Sequence, residues 1–332
     1  MDWLKIPYEE LRQQFPVIEE FFTALILEVP RPEETKSLEQ IIQELDHCHL
    51  NDLGLIRQEL PQQAIVFLEN IQKQLSAPQV SSITLIGGQS KSGQAENLNL
   101  RLQSGEIIAL VGATGAGKSR LLADIEWMAQ GDTPTGRRIL INDQVPLPEW
   151  RYSIEHKLVA QLSQNMNFVM DLSVADFLEL HGRSRLVPDL PAKIEQILAQ
   201  ANQLAGEPLS REMPVTALSG GQSRALMIAD TAFLSLSPIV LIDEIENAGI
   251  DRRQAIKLLL NKNKIVLIAT HDPILALMAD KRLVLQNGAI AQVLTTSAEE
   301  RAGLIELERM NQKLLHCREK LRQGFSLTAG DF

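Results

Sequence analysis

Apolar residues recur at helical spacing through the first part of the chain: Leu11, Phe15, Phe22 and Leu25, then Leu38, Ile41, Ile42 and Leu45, then Leu68, Ile71 and Leu75. Ser37-Leu38-Glu39-Gln40 reads as a capping-box start, Gly54 as a helix stop and Pro61 as a first-turn proline. The pattern predicts a small helical domain over residues 1–78. From residue 81 the period changes. Short β-rich runs alternate with helical patterns at 83–85, 98–102, 107–111, 138–141, 158–160, 239–242, 265–269, 282–285 and 291–294. Ile107-Ile108-Ala109-Leu110-Val111 and Ile239-Val240-Leu241-Ile242 are almost wholly apolar, which predicts parallel strands buried on both faces of an α/β domain over residues 80–295. Beyond it, residues 296–332 read as an amphipathic helix, with Leu304, Leu307, Met310, Leu314 and Leu321 on one side and Gly324 near its end. That stripe is expected to pack on its own domain. Trp3, Trp127 and Trp150 are likewise expected to serve packing.

Composition narrows the class. With 332 residues, 45% of them hydrophobic, the chain is neither disordered nor fibrous. Its longest apolar stretches, Phe21–Leu27 and Ile265–Ala269, fall far short of the roughly 18 residues of a membrane helix. Met1-Asp2-Trp3-Leu4-Lys5 lacks the basic head of a signal segment, so a cytoplasmic location is expected, free or peripheral at the inner face of a membrane. Cys48 and Cys317 are too few for a disulfide framework. His47-Cys48-His49 and His316-Cys317 match no established zinc spacing. The net charge is −10, and residues 1–80 hold 14 Asp/Glu against 6 Lys/Arg, so 6 − 14 = −8 of it lies there. Neither part offers the clustered Lys/Arg that neutralise phosphates along DNA or RNA, and no nucleic-acid partner is expected.

Three segments carry chemistry. The strand Ile107–Val111 runs directly into Gly112-Ala113-Thr114-Gly115-Ala116-Gly117-Lys118-Ser119, and a helical pattern follows. This is G-x-x-x-x-G-K-[ST] in the strand–loop–helix setting it requires. Glycines let successive N–H groups turn toward phosphate oxygens, the helix start adds positive potential, Lys118 reaches the β/γ-phosphates and the Ser119 hydroxyl suits Mg²⁺. Pro238-Ile239-Val240-Leu241-Ile242-Asp243-Glu244 is a buried strand ending in two acids, Asp243 to hold Mg²⁺ and Glu244 to polarise an attacking water. Leu218-Ser219-Gly220-Gly221-Gln222 opens a further helix with exposed backbone N–H groups suited to a terminal phosphate.

In this order the motifs resemble those of ATP-binding cassette (ABC) ATPases, over roughly residues 80–295. The resemblance implies a P-loop NTPase fold of ABC type with a helical subdomain near 172–217, and ATP and Mg²⁺ as ligands. It assigns nucleotide contact to Gly112 through Ser119 and to Arg120. Gln164 in Gln161-Leu162-Ser163-Gln164-Asn165 resembles the Q-loop glutamine, which touches the metal and the reacting water, and Ser219, Gly220, Gly221 and Gln222 resemble the signature. Asp243-Glu244 resembles Walker B with its catalytic glutamate, Asp251 the D-loop acid and His271 the switch histidine. Lys118 and Ser219 are 219 − 118 = 101 residues apart, too close for the coiled-coil insertion of chromosome-maintenance relatives.

Some positions depart from the family pattern. Between Gln72 and Gly105 there is no Phe, Tyr, Trp or His to stack on adenine, which predicts weak base selectivity. Asp243–Asp251 lacks the proline common in transporter subunits after the glutamate, and its Glu246-Asn247 pair looks closer to soluble members. Asp230 stands where an arginine is common. Because the family places ATP between two cassettes, the resemblance implies an ATP-dependent homodimer. Two roles follow: a soluble ATPase whose closure works on a protein partner docked by the acidic N-terminus, or the ATP-hydrolysing subunit of a transporter with a separate permease chain. A non-hydrolysing scaffold fits poorly with Glu244 and His271 both present.

Overall fold

The computed structural model describes residues 2–31, 34–75, 79–152, 157–163, 168–185, 187, 189–244, 250–260 and 263–328. Two compact units emerge, Met1–Pro78 with Leu180–Leu190, and Gln79–Glu179 with Pro191–Phe332. Within the first, α1 (Tyr8–Gln14) and α2 (Ile18–Ala24) divide the opening helical pattern around Pro16, whose ring removes a backbone donor. The capping box of Ser37 and Gln40 starts α3 (Leu38–Glu44), Asp46 caps α4 (His47–Asp52), Gly54 takes a left-handed φ of 69°, and α5 (Leu60–Leu75) carries Pro61 in its first turn. Tyr8, Leu11, Ile18, Phe22, Leu38, Leu60 and Leu68 are fully buried among these helices. The rings of Tyr8 and Phe22 meet edge to face at 5.9 Å, as do those of Trp3 and Phe15 at 5.2 Å.

The second unit holds two sheets. β1 (Ser82–Ile86), β2 (Asn99–Gln103) and β4 (Arg138–Ile141) form an antiparallel sheet in the order β2-β1-β4. The larger sheet joins β5 (Val159–Leu162), β6 (Ile239–Asp243), β7 (Ile265–Ala269), β3 (Ile107–Val111), β8 (Lys281–Gln286) and β9 (Ala289–Thr295) in that order. All its pairings are parallel except β8 with β9. Each of the nine sequence-predicted strand runs overlaps one of these strands. Apolar side chains of β3, β6 and β7 alternate between two cores. Ile108, Leu110, Leu241 and Leu267 face one with β1 and β4, and Ala109, Val240, Ile242 and Ile268 face the other. Both faces of the sheet are thereby covered, which is why these strands tolerate no polar residue before their C-terminal ends.

Helices α6 (Lys118–Glu126), α7 (Pro148–Tyr152), α8 (Val174–Ser184), α9 (Leu190–Leu204), α10 (Gly220–Phe233), α11 (Arg252–Leu260), α12 (Pro273–Met278) and α13 (Ala298–Arg322) complete the chain. α13 packs against α12, and its Glu308 accepts from Arg253 at 2.7 Å. Only part of the expected apolar stripe is covered. Leu304 and Leu307 are half-buried, whereas Met310, Leu314 and Leu321 stand 56–58% exposed. Gly324, at φ 82°, ends the helix in a left-handed cap. Trp3 is buried and Trp150 half-buried, but Trp127, at the C-cap of α6, is 52% exposed and does not serve the core.

Candidate active site

β3, β6 and β7 are neighbours, so the loops after their C-terminal ends open side by side, the place where parallel sheets hold ligands. The loop after β3 turns into α6 through Gly117, whose φ of 110° suits glycine alone. Peptides 113–115 are exposed, while Lys118 is 7% exposed and folds back over the loop. Its ammonium donates to Gly112 O at 2.9 Å and Ala113 O at 3.4 Å. It also lies 3.0 Å from His271 Nε2, in the loop after β7.

Two acids at the end of β6 meet the same group. Ser119 Oγ donates to Asp243 Oδ2 at 3.2 Å, and Glu244 Oε1 lies 3.8 Å from His271 Nε2. Glu244 adopts a left-handed φ of 49°, an uncommon conformation for glutamate, with its N–H donating to Ala269 O at 3.0 Å. That bond to the neighbouring strand holds the residue against its conformational preference, a feature frequent where side-chain aim matters more than local stability. Asp272, next to His271, caps α12 by accepting from Ile274 N at 2.7 Å and pairs with Arg252 at the start of α11. Lysine, hydroxyl, two carboxylates and imidazole thus converge from positions up to 153 residues apart.

The family model described as ABC transporter matches residues 95–247. An uncharacterised ABC transporter ATP-binding protein of Methanocaldococcus jannaschii is 47% identical over 254 residues, which is 76% of this chain and 97% of that relative. The chain belongs to the ABC ATPase family. It is also 26% identical over 244 residues to the methionine import ATP-binding protein of Francisella tularensis, covering 69% of this chain and 63% of that relative's length. Among solved structures, cbiO1 from Clostridium perfringens, part of the ABC transporter complex cbiONQ, superposes with a TM-score of 0.53 at 19% identity over 74% of this chain and all of that one. It establishes a shared fold.

Ser219, Gln222 and Asp251, also singled out in the sequence of this ABC ATPase, make hydrogen bonds at their own helix starts. Ser219 caps α10 in a capping box: Gln222 N donates to Ser219 Oγ at 3.3 Å and Ser219 N to Gln222 Oε1 at 2.9 Å. Gln222 is 6% exposed, and its amide donates to Pro208 O at 2.9 Å, so it supports the helix start rather than presenting itself to a ligand. Ser219 and Gly220 are exposed. Asp251 caps α11, accepting from Gln254 N at 3.1 Å and Gln254 Nε2 at 3.0 Å. Arg120 is exposed on the first turn of α6. Gln164 and the Glu246-Asn247 pair lie outside the described residues. Asp230 is 2% exposed within α10.

Sequence reasoning missed a buried ionic cluster behind the phosphate loop. Arg137, wholly buried, donates to Glu96 Oε2 at 2.7 Å and Oε1 at 2.9 Å, to Asp124 Oδ2 at 3.0 Å and to Gly288 O at 2.7 Å. Burial opposes charge on Glu96, but hydrogen bonds from Arg137 and Ile290 N–H and the arginine's charge outweigh it, holding the carboxyl below its usual range. Arg137 responds conversely: burial lowers its pKa, and Glu96 and Asp124 raise it on balance. No motif marks these residues. Arg137 stands just before the strand run 138–141 with no local signal of burial.

Proposed function

We propose that this ABC-type ATPase binds ATP on residues 112–120, polarises the attacking water with Glu244, and couples closure of a homodimer to work on a protein partner. The observation that carries the reading is the convergence of Lys118, Ser119, Asp243, Glu244 and His271 at the ends of three adjacent strands. Lys118 supplies fixed positive charge for the β/γ-phosphates. Glu244 places a carboxylate oxygen 3.8 Å from His271 Nε2, in position to take a proton from water while the imidazole holds the terminal phosphate. Ser119 and Asp243 bring a hydroxyl and a carboxylate within 3.2 Å, hard oxygen donors of the type Mg²⁺ takes, and Gln164 is assigned as their third partner. Bound there, Mg²⁺ would neutralise charge on the phosphates. Ser219, Gly220, Gly221 and Asp251 are assigned to the nucleotide held by the second copy, a reading supported by their positions at the starts of α10 and α11, with Ser219 and Gly220 exposed.

The partner is proposed to dock on the helical unit of residues 1–78, which carries most of the net charge and none of the Lys118 group. The M. jannaschii relative is matched over 97% of its length while 76% of this chain is covered, so about a quarter of this chain lies outside that match. Both the M. jannaschii and F. tularensis relatives are named as transport proteins, which favours a second reading, the ATP-binding subunit of a transporter at the inner face of a membrane. In that reading the permease is a separate chain; no helix among the described residues is long and apolar enough to cross a membrane. Copurification with a polytopic membrane protein separates the two. The catalytic assignment is tested by Glu244→Gln, which should abolish turnover and accumulate an ATP-bound dimer in size exclusion, and by Lys118→Ala, which should abolish binding. Full turnover in Glu244→Gln refutes it.

A further inference from the structure

The loop between β1 and β2 lays a lysine across the phosphate loop. Lys91 N donates to Asn287 O at 2.8 Å, in the β8–β9 turn, and Asn287 Nδ2 donates back to Ser92 Oγ at 2.9 Å. The turn is itself fixed to the phosphate loop, since Gly288 N donates to Ala116 O at 2.9 Å. Three layers stack closely here. A Cβ on Gly117 would stand 3.0 Å from Gly288 Cα, and one on Gly288, at φ 84°, would stand 2.9 Å from Lys91 Cγ. Only glycine at 288 lets the lysine stem lie flat on the turn. The stem ends with Nζ 2.6 Å from Gly115 O, at the last of the exposed peptides 113–115 of the loop. Behind the turn, the Arg137 cluster grips Gly288 O at 2.7 Å and, through Glu96, Ile290 N. The ammonium is therefore held from a rigid base.

We propose that Lys91 contacts the nucleotide, as a second cation over the phosphate loop beside Lys118 that attracts the polyphosphate tail. This rests on the nucleotide site proposed above. An ammonium has three N–H donors and the Gly115 carbonyl takes one, leaving two for phosphate oxygens gathered on the same short loop. As a compact charge on a flexible stem it recognises charge rather than the shape of a base. It also fixes the loop: pinning the Gly115 carbonyl outward turns the following N–H of the trans peptide to the opposite side.

Equilibrium binding of ATP, GTP and ADP to the full chain tests this, comparing wild type with Lys91→Met, Lys91→Arg, Lys118→Ala and, as a control of equal charge on an exposed face of α11, Lys257→Met. Lys91→Met keeps the stem and removes the charge. It should raise all three dissociation constants by a common factor of about five, the upper range for an exposed ion pair, and flatten their salt dependence. Lys91→Arg should recover most of the affinity, and Lys257→Met should match wild type. Unchanged binding in Lys91→Met, alongside lost binding in Lys118→Ala, would leave Lys91 a scaffold residue and overturn the proposal. A changed ATP/GTP ratio would overturn the tail assignment in favour of contact with the base. Unimpaired binding in Lys118→Ala would instead refute the nucleotide site itself.

Discussion

Arg137→Met removes the centre of the buried ionic cluster. The guanidinium is wholly buried, as are the side chains of its partners Glu96 and Asp124. Methionine fills similar space but strands two carboxylates and the Gly288 carbonyl. Removing one member of a buried ionic cluster costs roughly 3–5 kcal/mol, because the remaining charges stay desolvated without compensation. Asp124 is the more vulnerable, since its Oδ1 already has no hydrogen-bond partner among the described residues. For a unit of this size each kcal/mol shifts the melting temperature by about 2–4 °C, so a fall of about 6–20 °C is expected. Differential scanning calorimetry should show it in the transition of the cassette unit. Adding Glu96→Gln and Asp124→Asn to Arg137→Met removes the stranded charges and should recover part of the loss, although each amide also brings donors that need partners. A loss under about 1 kcal/mol, the scale of a surface pair, would refute the idea that these residues form one buried cluster.

The same cluster sets an acid limit. Glu96 has its folded-state pKa depressed, so its stabilisation is fully present above the ordinary value of 4.5 and is lost as pH falls through the lower folded value; Glu96→Gln should be less stable at neutral pH and show a flatter acid limb in thermal melts. Tyr8 has a buried hydroxyl oxygen with no partner among the described residues, and burial pushes its phenol up to about 12. Tyr8→Phe should therefore leave the helical unit as stable or more stable, by up to roughly 1 kcal/mol in urea titration, and a loss above that would reveal a bond to that oxygen. With no aromatic residue or histidine between Gln72 and Gly105, ATP should be preferred over GTP by less than about a hundredfold in competition binding, roughly 2.7 kcal/mol.

Elements whose physics is local were legible in the sequence. A strand buried on both faces must be apolar throughout, so β3, β6 and β7 announce themselves, and the residues where apolarity stops, Gly112, Asp243 and Thr270, begin the candidate active site. Capping boxes at Ser37 and Ser219 are equally local, each closed by a glutamine three residues on. The C-terminal stripe misled because helical spacing gives a face without naming its partner. α13 packs on α12 with Leu304 and Leu307 half-buried and Glu308 paired to Arg253, while Met310, Leu314 and Leu321 of the same stripe stay exposed.

What stayed hidden depends on approach between segments far apart in the chain. Arg137 and Arg138 are adjacent and chemically identical, yet the first is wholly buried and the second is exposed, because Glu96, 41 residues earlier, and Gly288, 151 residues later, close over one of them. Lys91 is hidden for the same reason. In sequence it is one polar residue among Gln89, Ser90, Ser92 and Gln94, with nothing local to distinguish it from a solvated loop. Its address is written instead in two glycines, Gly117 and Gly288, whose missing side chains bring three backbone segments into contact. The phosphate-loop motif accounts for Gly117 by its turn alone, but the approach of Gly288 shows that this glycine has a second duty. A β-carbon at position 117 would press on the β8–β9 turn and, through it, on Lys91, so Gly117→Ala disturbs both cations of the loop rather than the turn only.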